Sequence, residues 1–236
     1  MKRELAMDAA ADVIGQLPDN GLEQMRRDAF RSLTQSELPG LKDEDWKYTD
    51  LDEIVEVSNA WLGSGGGSTR VADEAIGAIT AGVDVDWLTI RNGHVDLTEL
   101  ARATQDGLRV APLSANAWVQ PLDSPLSDLN TALLRDGISI VVEANSHCTR
   151  TIGLLFIDDV AAAPGSSHTR VNIAIGAGSS ASFVEYHVSA GAAAHYANNV
   201  IDLSLADGAN AEFIRVQERG DQHSQTALLR ARPVSY

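Results

Sequence analysis

The sequence predicts a mainly β chain in which an N-terminal helical region leads into an incomplete β-solenoid. Three observations carry this. Two segments thirty residues apart, 171–187 and 201–217, repeat one another: Val171, Ile173 and Ile175 match Ile201, Leu203 and Leu205, Gly178 matches Gly208, and Ala181 and Phe183 match Ala211 and Phe213. A fixed period of this size marks an architecture whose unit cannot bury its own apolar face and needs a neighbour above and below. From Ile138 onward the apolar residues alternate with period two, and strand follows strand with no intervening amphipathic helix, which rules against a doubly wound α/β sheet. Ahead of residue 60 the apolar spacing is helical instead.

In chain order, Leu5, Ala9, Val13 and Leu17 fall at helical spacing and Pro18 stops the run. Asn20 followed by Glu23 reads as a capping box for a second helix, with Leu22, Met25, Ala29, Phe30 and Leu33 on one face and Arg26, Arg27 and Asp28 on the other. Leu38, Pro39 and Gly40 make a turn. Residues 63–68, GSGGGS, read as a flexible loop, because the lysine and Ser/Thr that a phosphate loop needs after its glycines are missing. Asn92-Gly93 tolerates positive φ and predicts a tight hairpin between a strand at 86–90 and the stretch from His94. Ser124 before Pro125 starts a helix with Leu126, Leu129, Leu133 and Leu134 on one face, and Gly137 is placed to end it. Ile138, Ile140 and Val142 then open the first coil, and 152–157 is an apolar strand. A shift of about 33 residues lays Ile140 on Ile173, Val142 on Ile175 and Cys148 on Ala181. The organisation is therefore 1–62 helical, 63–125 a Gly/Ser loop with a small mixed α/β region, and 126–236 the coil stack. Leu228, Leu229 and Arg230 read as the first strand of a further coil that breaks off at Pro233, which cannot donate to a ladder.

Composition narrows the function classes. Net charge is -15, with 22 acids and 11 bases in residues 1–125 and 11 acids and 7 bases in 126–236. A chain of this acidity without a Lys/Arg cluster lacks the footprint of nucleic-acid or anionic-membrane binding. Glu4, Asp8 and Asp12 interrupt the N-terminus where a secretory signal needs an apolar core, so a cytoplasmic location is expected. The single cysteine, Cys148, excludes an internal disulfide and a cysteine-cage metal site made by one chain.

Few residues invite chemistry. Cys148 aligns with Ala181 and Ala211, which favours a small packing residue over a nucleophile or sulfur carrier. Glu185 and His187 lie two apart on one strand face and could begin a metal site or an acid/base pair. One coil later, however, stand Arg215 and Gln217, and an outward, solvent-facing ladder of opposite charges is the plainer reading. His94, His147, His168, His195 and His223 show no ligand spacing and mostly fall where turns are expected. Asp158-Asp159 reads as a turn after a strand. Trp46, Lys47, Tyr48 and Thr49 place two aromatics and a base in four positions of a chain that is 5% aromatic. Either Trp46 and Tyr48 pack a turn onto the helical region or they form a docking patch.

The Trp46, Lys47, Tyr48, Thr49 signature, the Asn92-Gly93 turn, the Leu129-Asn130 helix running to Asp136-Gly137, and the coils from Ile138 through Gln217, in that order, resemble the SufB/SufD family of iron–sulfur cluster assembly subunits. Within it they look more like the SufD type. The resemblance implies an N-terminal helical region followed by a right-handed parallel β-helix. It also implies a non-catalytic subunit supporting iron acquisition and cluster assembly beside a SufB-type partner, which it meets through the β-helix. The iron–sulfur cluster and a reduced flavin are implied at the level of the family's complex; no cofactor is expected on this chain alone, and no catalytic, cofactor or metal residue is carried over. Family members continue well past the position of Tyr236. The part beyond it holds the histidine implicated in cluster formation and the helices that dock the SufC-type ATPase, so SufC capture is not expected here. The alternative is a carbohydrate-active enzyme, a lyase or hydrolase, on a parallel β-helix.

Overall fold

In a computed structural model the described residues are 4–66, 80–114, 124–160 and 162–234. They contain ten strands: β1 (Val85–Arg91), β2 (His94–Val95), β3 (Leu108–Pro112), β4 (Gly137–Val142), β5 (Thr151–Asp159), β6 (Gly165–Ile175), β7 (Ser180–Ala190), β8 (His195–Leu205), β9 (Asn210–Glu218) and β10 (His223–Pro233). Sheet one has the order β2-β1-β5-β7-β9 and sheet two the order β3-β4-β6-β8-β10. From β4 onward the chain alternates between sheets, and each strand pairs in parallel with the strand two places ahead, giving a β-solenoid of about three turns.

The thirty-residue repeat is the coil itself. Val171 pairs with Ile201 and Ala181 with Ala211, while Ile140 pairs with Ile173, as the shifts predict. Inward columns such as Ile138–Val171–Ile201 and Phe183–Phe213 fill the space between the sheets, the two phenyl rings 5.9 Å apart. Gly178 and Gly208, at φ 66° and 69°, make the same left-handed turn on successive coils, a conformation glycine adopts without steric cost. Cys148 packs half-buried against this core, and its amide donates to Ser180 O (2.9 Å), level with Ala181. β10 begins at His223 rather than Leu228, and it stays in register with β8 as far as Pro233 opposite Leu205. As the outermost strand of its sheet it leaves the Pro233 nitrogen without a ladder duty, which is where a sheet tolerates proline.

The sheets do not stop at residue 125. β1 pairs in parallel with β5 along its whole length, and β3 pairs antiparallel with β4, so the middle segment supplies two strands of the stack. β1 and β2 form the expected hairpin, with Asn92 and Gly93 at φ 48° and 79°. Of the 63–68 run, 67 and 68 lie outside the described residues, as do 235 and 236 at the chain's end.

The helices are α1 (Met7–Ile14), α2 (Glu23–Thr34), α3 (Asp52–Gly63), α4 (Leu97–Ala103) and α5 (Pro125–Ala132), with a 3-10 turn at Glu44–Trp46. α3 and α5 lie on the outer face of sheet two against β6 and β8, where Trp61, Leu62 and Leu129 share a cluster with Tyr196. Asn130 fastens α5: its buried Nδ2 donates to Thr169 O (2.9 Å) and Asn198 O (2.7 Å). Arg170 adds bonds to Thr131 Oγ1 and Asp202 Oδ2, both 2.7 Å.

Four local expectations change. The first helix ends at Ile14, a turn before Pro18. Asn20 does not cap α2; its side chain binds Arg135 O (3.0 Å) and the guanidinium of Arg26. Arg26 falls at the same helical spacing as Leu22, Ala29 and Leu33 and is buried with them, because four oxygens from Pro18, Asn20, Leu134 and Arg135 satisfy its guanidinium. Gly137 opens β4 instead of closing α5: a Cβ there would stand 2.7 Å from Arg170 O.

Candidate functional site

Between the sheets the core changes character along each coil. In β7 the inward residues run Ala181, Phe183, Glu185, His187, and in β8 they run His195, Ala197, Asn199, Ile201, Leu203. The apolar halves face each other at one corner of the coil. The polar halves meet at the other, where β5, β7 and β9 turn into β6, β8 and β10. Polarity also rises up the stack. One column reads Leu154–Glu185–Arg215 and the next Phe156–His187–Gln217.

Glu185 and His187 therefore do not face solvent, as the ladder reading had it. Both side chains are 0% exposed. The register with Arg215 and Gln217 is the expected one, but strand parity, which places 185 and 187 on the same side as Phe183, puts that ladder inside. His187 Nε2–H donates to Glu185 Oε1 (2.6 Å), and Arg215 Nε donates to Glu185 Oε2 (2.7 Å). His187 Nδ1 then accepts from Gln225 Nε2 (3.1 Å) and Asn199 Nδ2 (3.2 Å), while the imidazole stacks on Phe156 at 4.6 Å. Burial holds the His187 imidazole below its ordinary value, against the opposing pull of Glu185.

Beside this pair stands Asp158. It is not in a turn; Asp158 and Asp159 end β5 and point to opposite faces as neighbours on a strand must. Asp158 turns inward, accepting from Ser167 Oγ (2.7 Å) and Arg219 Nη2, with His195 Nε2 at 3.4 Å. Burial works to raise its pKa, but the charges of His195 and Arg219 prevail and hold it below the usual carboxylate range. Asp159 turns outward onto the hairpin, accepting from Arg91 Nε (2.7 Å) and Asn92 Nδ2, while Asn92 Oδ1 accepts from the Asp159 amide (2.9 Å).

The histidines assigned to turns divide differently. His168, His195 and His223 are strand residues, on β6, β8 and β10, and the His195 and His223 rings stack 5.9 Å apart on successive coils. Burial lowers the pKa of each, that of His168 to about 3. Five polar atoms at this corner, Arg219 Nε and Nη1, His195 Nδ1, His223 Nδ1 and Asn199 Oδ1, have no hydrogen-bond partner among the described residues. Among the described residues no group of three or more His, Cys, Asp or Glu side chains is arranged to hold a metal ion. The arrangement can hold charge and fix one histidine tautomer in a dry place. Both imidazole nitrogens of His187 are engaged, Nε2 by Glu185 and Nδ1 by Asn199 and Gln225.

The aromatic signature splits. Trp46 packs half-buried against the helical cluster, but Tyr48 is 91% exposed, with Lys47 Nζ 5.3 Å above its ring and bonded to Glu44 Oε1 (2.6 Å). Packing is right for Trp46 and wrong for Tyr48. The Thr49 amide donates to Trp46 O (2.9 Å) and closes the turn. Sequence reasoning missed Asp158, His195, Asn199, Arg219 and Gln225 as a group. The available signal was parity: each occupies an inward position of a strand, or follows one directly, on the same side as Phe183, Ile201 and Leu203.

The outermost strands carry the last feature of this end. Ile214 on β9 is 50% exposed, and Leu228 and Leu229 on β10 are 39% and 36% exposed. No described helix is long and apolar enough to cross a membrane. The chain matches no protein-family model and no curated protein.

Proposed function

We propose that this chain is a non-catalytic scaffold subunit of the SufB/SufD type, supporting iron acquisition and cluster assembly beside a SufB-type partner that it meets through its coil stack. The observation that carries the reading is the β9/β10 end. Among the described residues both sheets finish there on strands paired on one side only, Ile214, Leu228 and Leu229 are exposed, and the core below holds charged and unpaired groups. An edge of this kind pairs with strands of another β-structure, main-chain bonds giving affinity and side-chain columns giving register.

The carbohydrate-active alternative needs two carboxylates open to a polymer. Asp158 and Glu185 lie between the sheets, each held by an arginine, which favours the scaffold reading. Cofactors follow the same reading: cluster and flavin belong to the assembled complex, and the protein acts in the cytoplasm where that complex forms.

The test is co-expression with a SufB-type subunit and with a SufC-type ATPase. The expected result is co-purification with the first and no stable capture of the second by residues 1–236. Failure to bind the SufB-type subunit at micromolar concentration, or turnover of acidic or neutral polysaccharides by the purified chain, overturns the proposal.

A further inference from the structure

The two sheets differ on their outer faces. Sheet two carries α3 and α5 there, the usual cover of a parallel sheet whose strands are apolar on both sides. Among the described residues no helix packs along β5, β7 or β9 of sheet one. Its outward side chains are nevertheless apolar. Parity and register give one outward column Trp87–Gly153–Val184–Ile214 and beside it Leu155–Tyr186–Val216.

At the β5 end of this face the chain covers itself. Leu155 is fully buried in a cluster with Trp87 and Tyr186, whose rings meet edge-on at 6.3 Å. Toward β9 the cover runs out: Val184, Tyr186 and Val216 are half-buried, and Ile214 is 50% exposed. An apolar strip is left open beside the Trp87 ring. Glu212 and Glu218, outward on β9 like Ile214 and Val216, flank it at either end. Glu212 accepts from Ser182 Oγ (3.3 Å) and Glu218 from Tyr186 Oη, and neither carboxylate forms an ion pair among the described residues. Six residues of strand set the two acids about 20 Å apart, the length of about 13 helical residues. From β5 to β9 the face is about 10 Å wide, one helix diameter.

We propose that the outer face of β7 and β9 is a docking site for an amphipathic basic helix of a partner protein. The helix lies along the strands, its apolar stripe on Val184, Tyr186, Ile214 and Val216, with a Lys or Arg near each end over Glu212 and Glu218. A helix is the fitting occupant because the face offers side chains and no free backbone edge, and because sheet two shows the same cover in place. The charges choose its sign. An acidic helix, or a second copy of this chain at net charge -15, meets like charge there. The site uses no strand edge and is independent of the scaffold role.

The probe is an alanine-based helix of about 18 residues, labelled with fluorescein, with leucine at i, i+3, i+4, i+7 and i+11 and two lysines near each end. Its control carries glutamate in place of lysine. Anisotropy with the full chain at about 50 mM salt should give saturable binding with a Kd of about 0.1 mM, and the control should bind about tenfold more weakly. Val184→Lys, at the centre of the strip, and Glu212→Lys, at its exposed rim, should each weaken the lysine helix about tenfold while the far-UV spectrum stays unchanged. The proposal is overturned if binding does not saturate, if the two helices bind alike, or if either folded variant keeps the affinity. It is equally overturned if the chain sediments as a dimer that Val184→Lys breaks, since a second copy then occupies the face. None of these outcomes depends on whether a SufB-type subunit binds.

Discussion

Replacing Arg215 by leucine separates an interior ion pair from a surface one. Glu185 is fully buried, and its carboxylate has two partners, His187 Nε2 at 2.6 Å and Arg215 Nε at 2.7 Å. Removing one partner of a buried pair costs about 3–5 kcal/mol, because the remaining charge is left in a dry place. We expect about 3 kcal/mol for Arg215→Leu, a fall in Tm of about 6–12 °C for a chain of this size. Glu185→Leu should cost less, about 2 kcal/mol, since the Arg215 side chain is already 29% exposed and can turn to water. In the double variant the column continues the Leu154 below it, and only the His187 N–H loses its acceptor. About 2 kcal/mol is expected for the pair, against an additive sum of about 5, a coupling of about 3 kcal/mol. Urea unfolding at neutral pH, followed by far-UV circular dichroism with the m-value checked for constancy, measures all three. A cost under about 0.5 kcal/mol for Arg215→Leu, with additive singles, would place Glu185 on the solvent face and refute the account of the interior.

Other consequences can be measured in the same way. Gly153→Ala puts a Cβ 2.3 Å from Trp87 Cε3, so Trp87 must leave its place beside Tyr186; a loss of about 2–3 kcal/mol and a red-shifted tryptophan emission are expected, and an unchanged spectrum contradicts it. Asn92→Ala keeps a left-handed residue at φ 48° but removes the side-chain bonds to Asp159, and should cost about 2–3 kcal/mol, whereas Asn92→Gly, which relieves the backbone, should cost less. Burial lowers the pKa of His168, His187, His195 and His223, so between the folded values and 6.5 the unfolded chain binds more protons than the native one. Stability is therefore full above about pH 6.5 and falls as pH drops below it, by up to about 1.4 kcal/mol per pH unit for each such histidine. A urea midpoint that stays constant from about pH 7 to pH 5 excludes this.

The coil stack was readable because its signal is redundant: three inward aliphatics per strand, repeated at a fixed spacing, predict the pairing of Val171 with Ile201 and of Ala181 with Ala211. The Asn92-Gly93 hairpin was readable because few dipeptides adopt two successive positive φ angles. The β1 and β3 pairings were not, since seven- and five-residue strands joining from outside the repeat carry no periodic mark of their partner. The polar corner was misread at Glu185 and His187 for a physical reason. Sequence patterning treats charge as a sign of solvent, and it cannot see that Arg215, one coil away, and Asn199 and Gln225, across the sheets, arrive to satisfy each group. Arg26 misleads in the same manner, its burial being set by carbonyls more than a hundred residues distant.

Hydrogen exchange on the chain alone and mixed with a SufB-type subunit tests the scaffold reading most directly. The account predicts a stable complex in which amides of β9 (Asn210–Glu218) and β10 (His223–Pro233) gain protection, while those of β1 and of helices α1 and α2 exchange as before. Absence of a complex, or protection confined to the helices with the β9 and β10 edges unchanged, contradicts it.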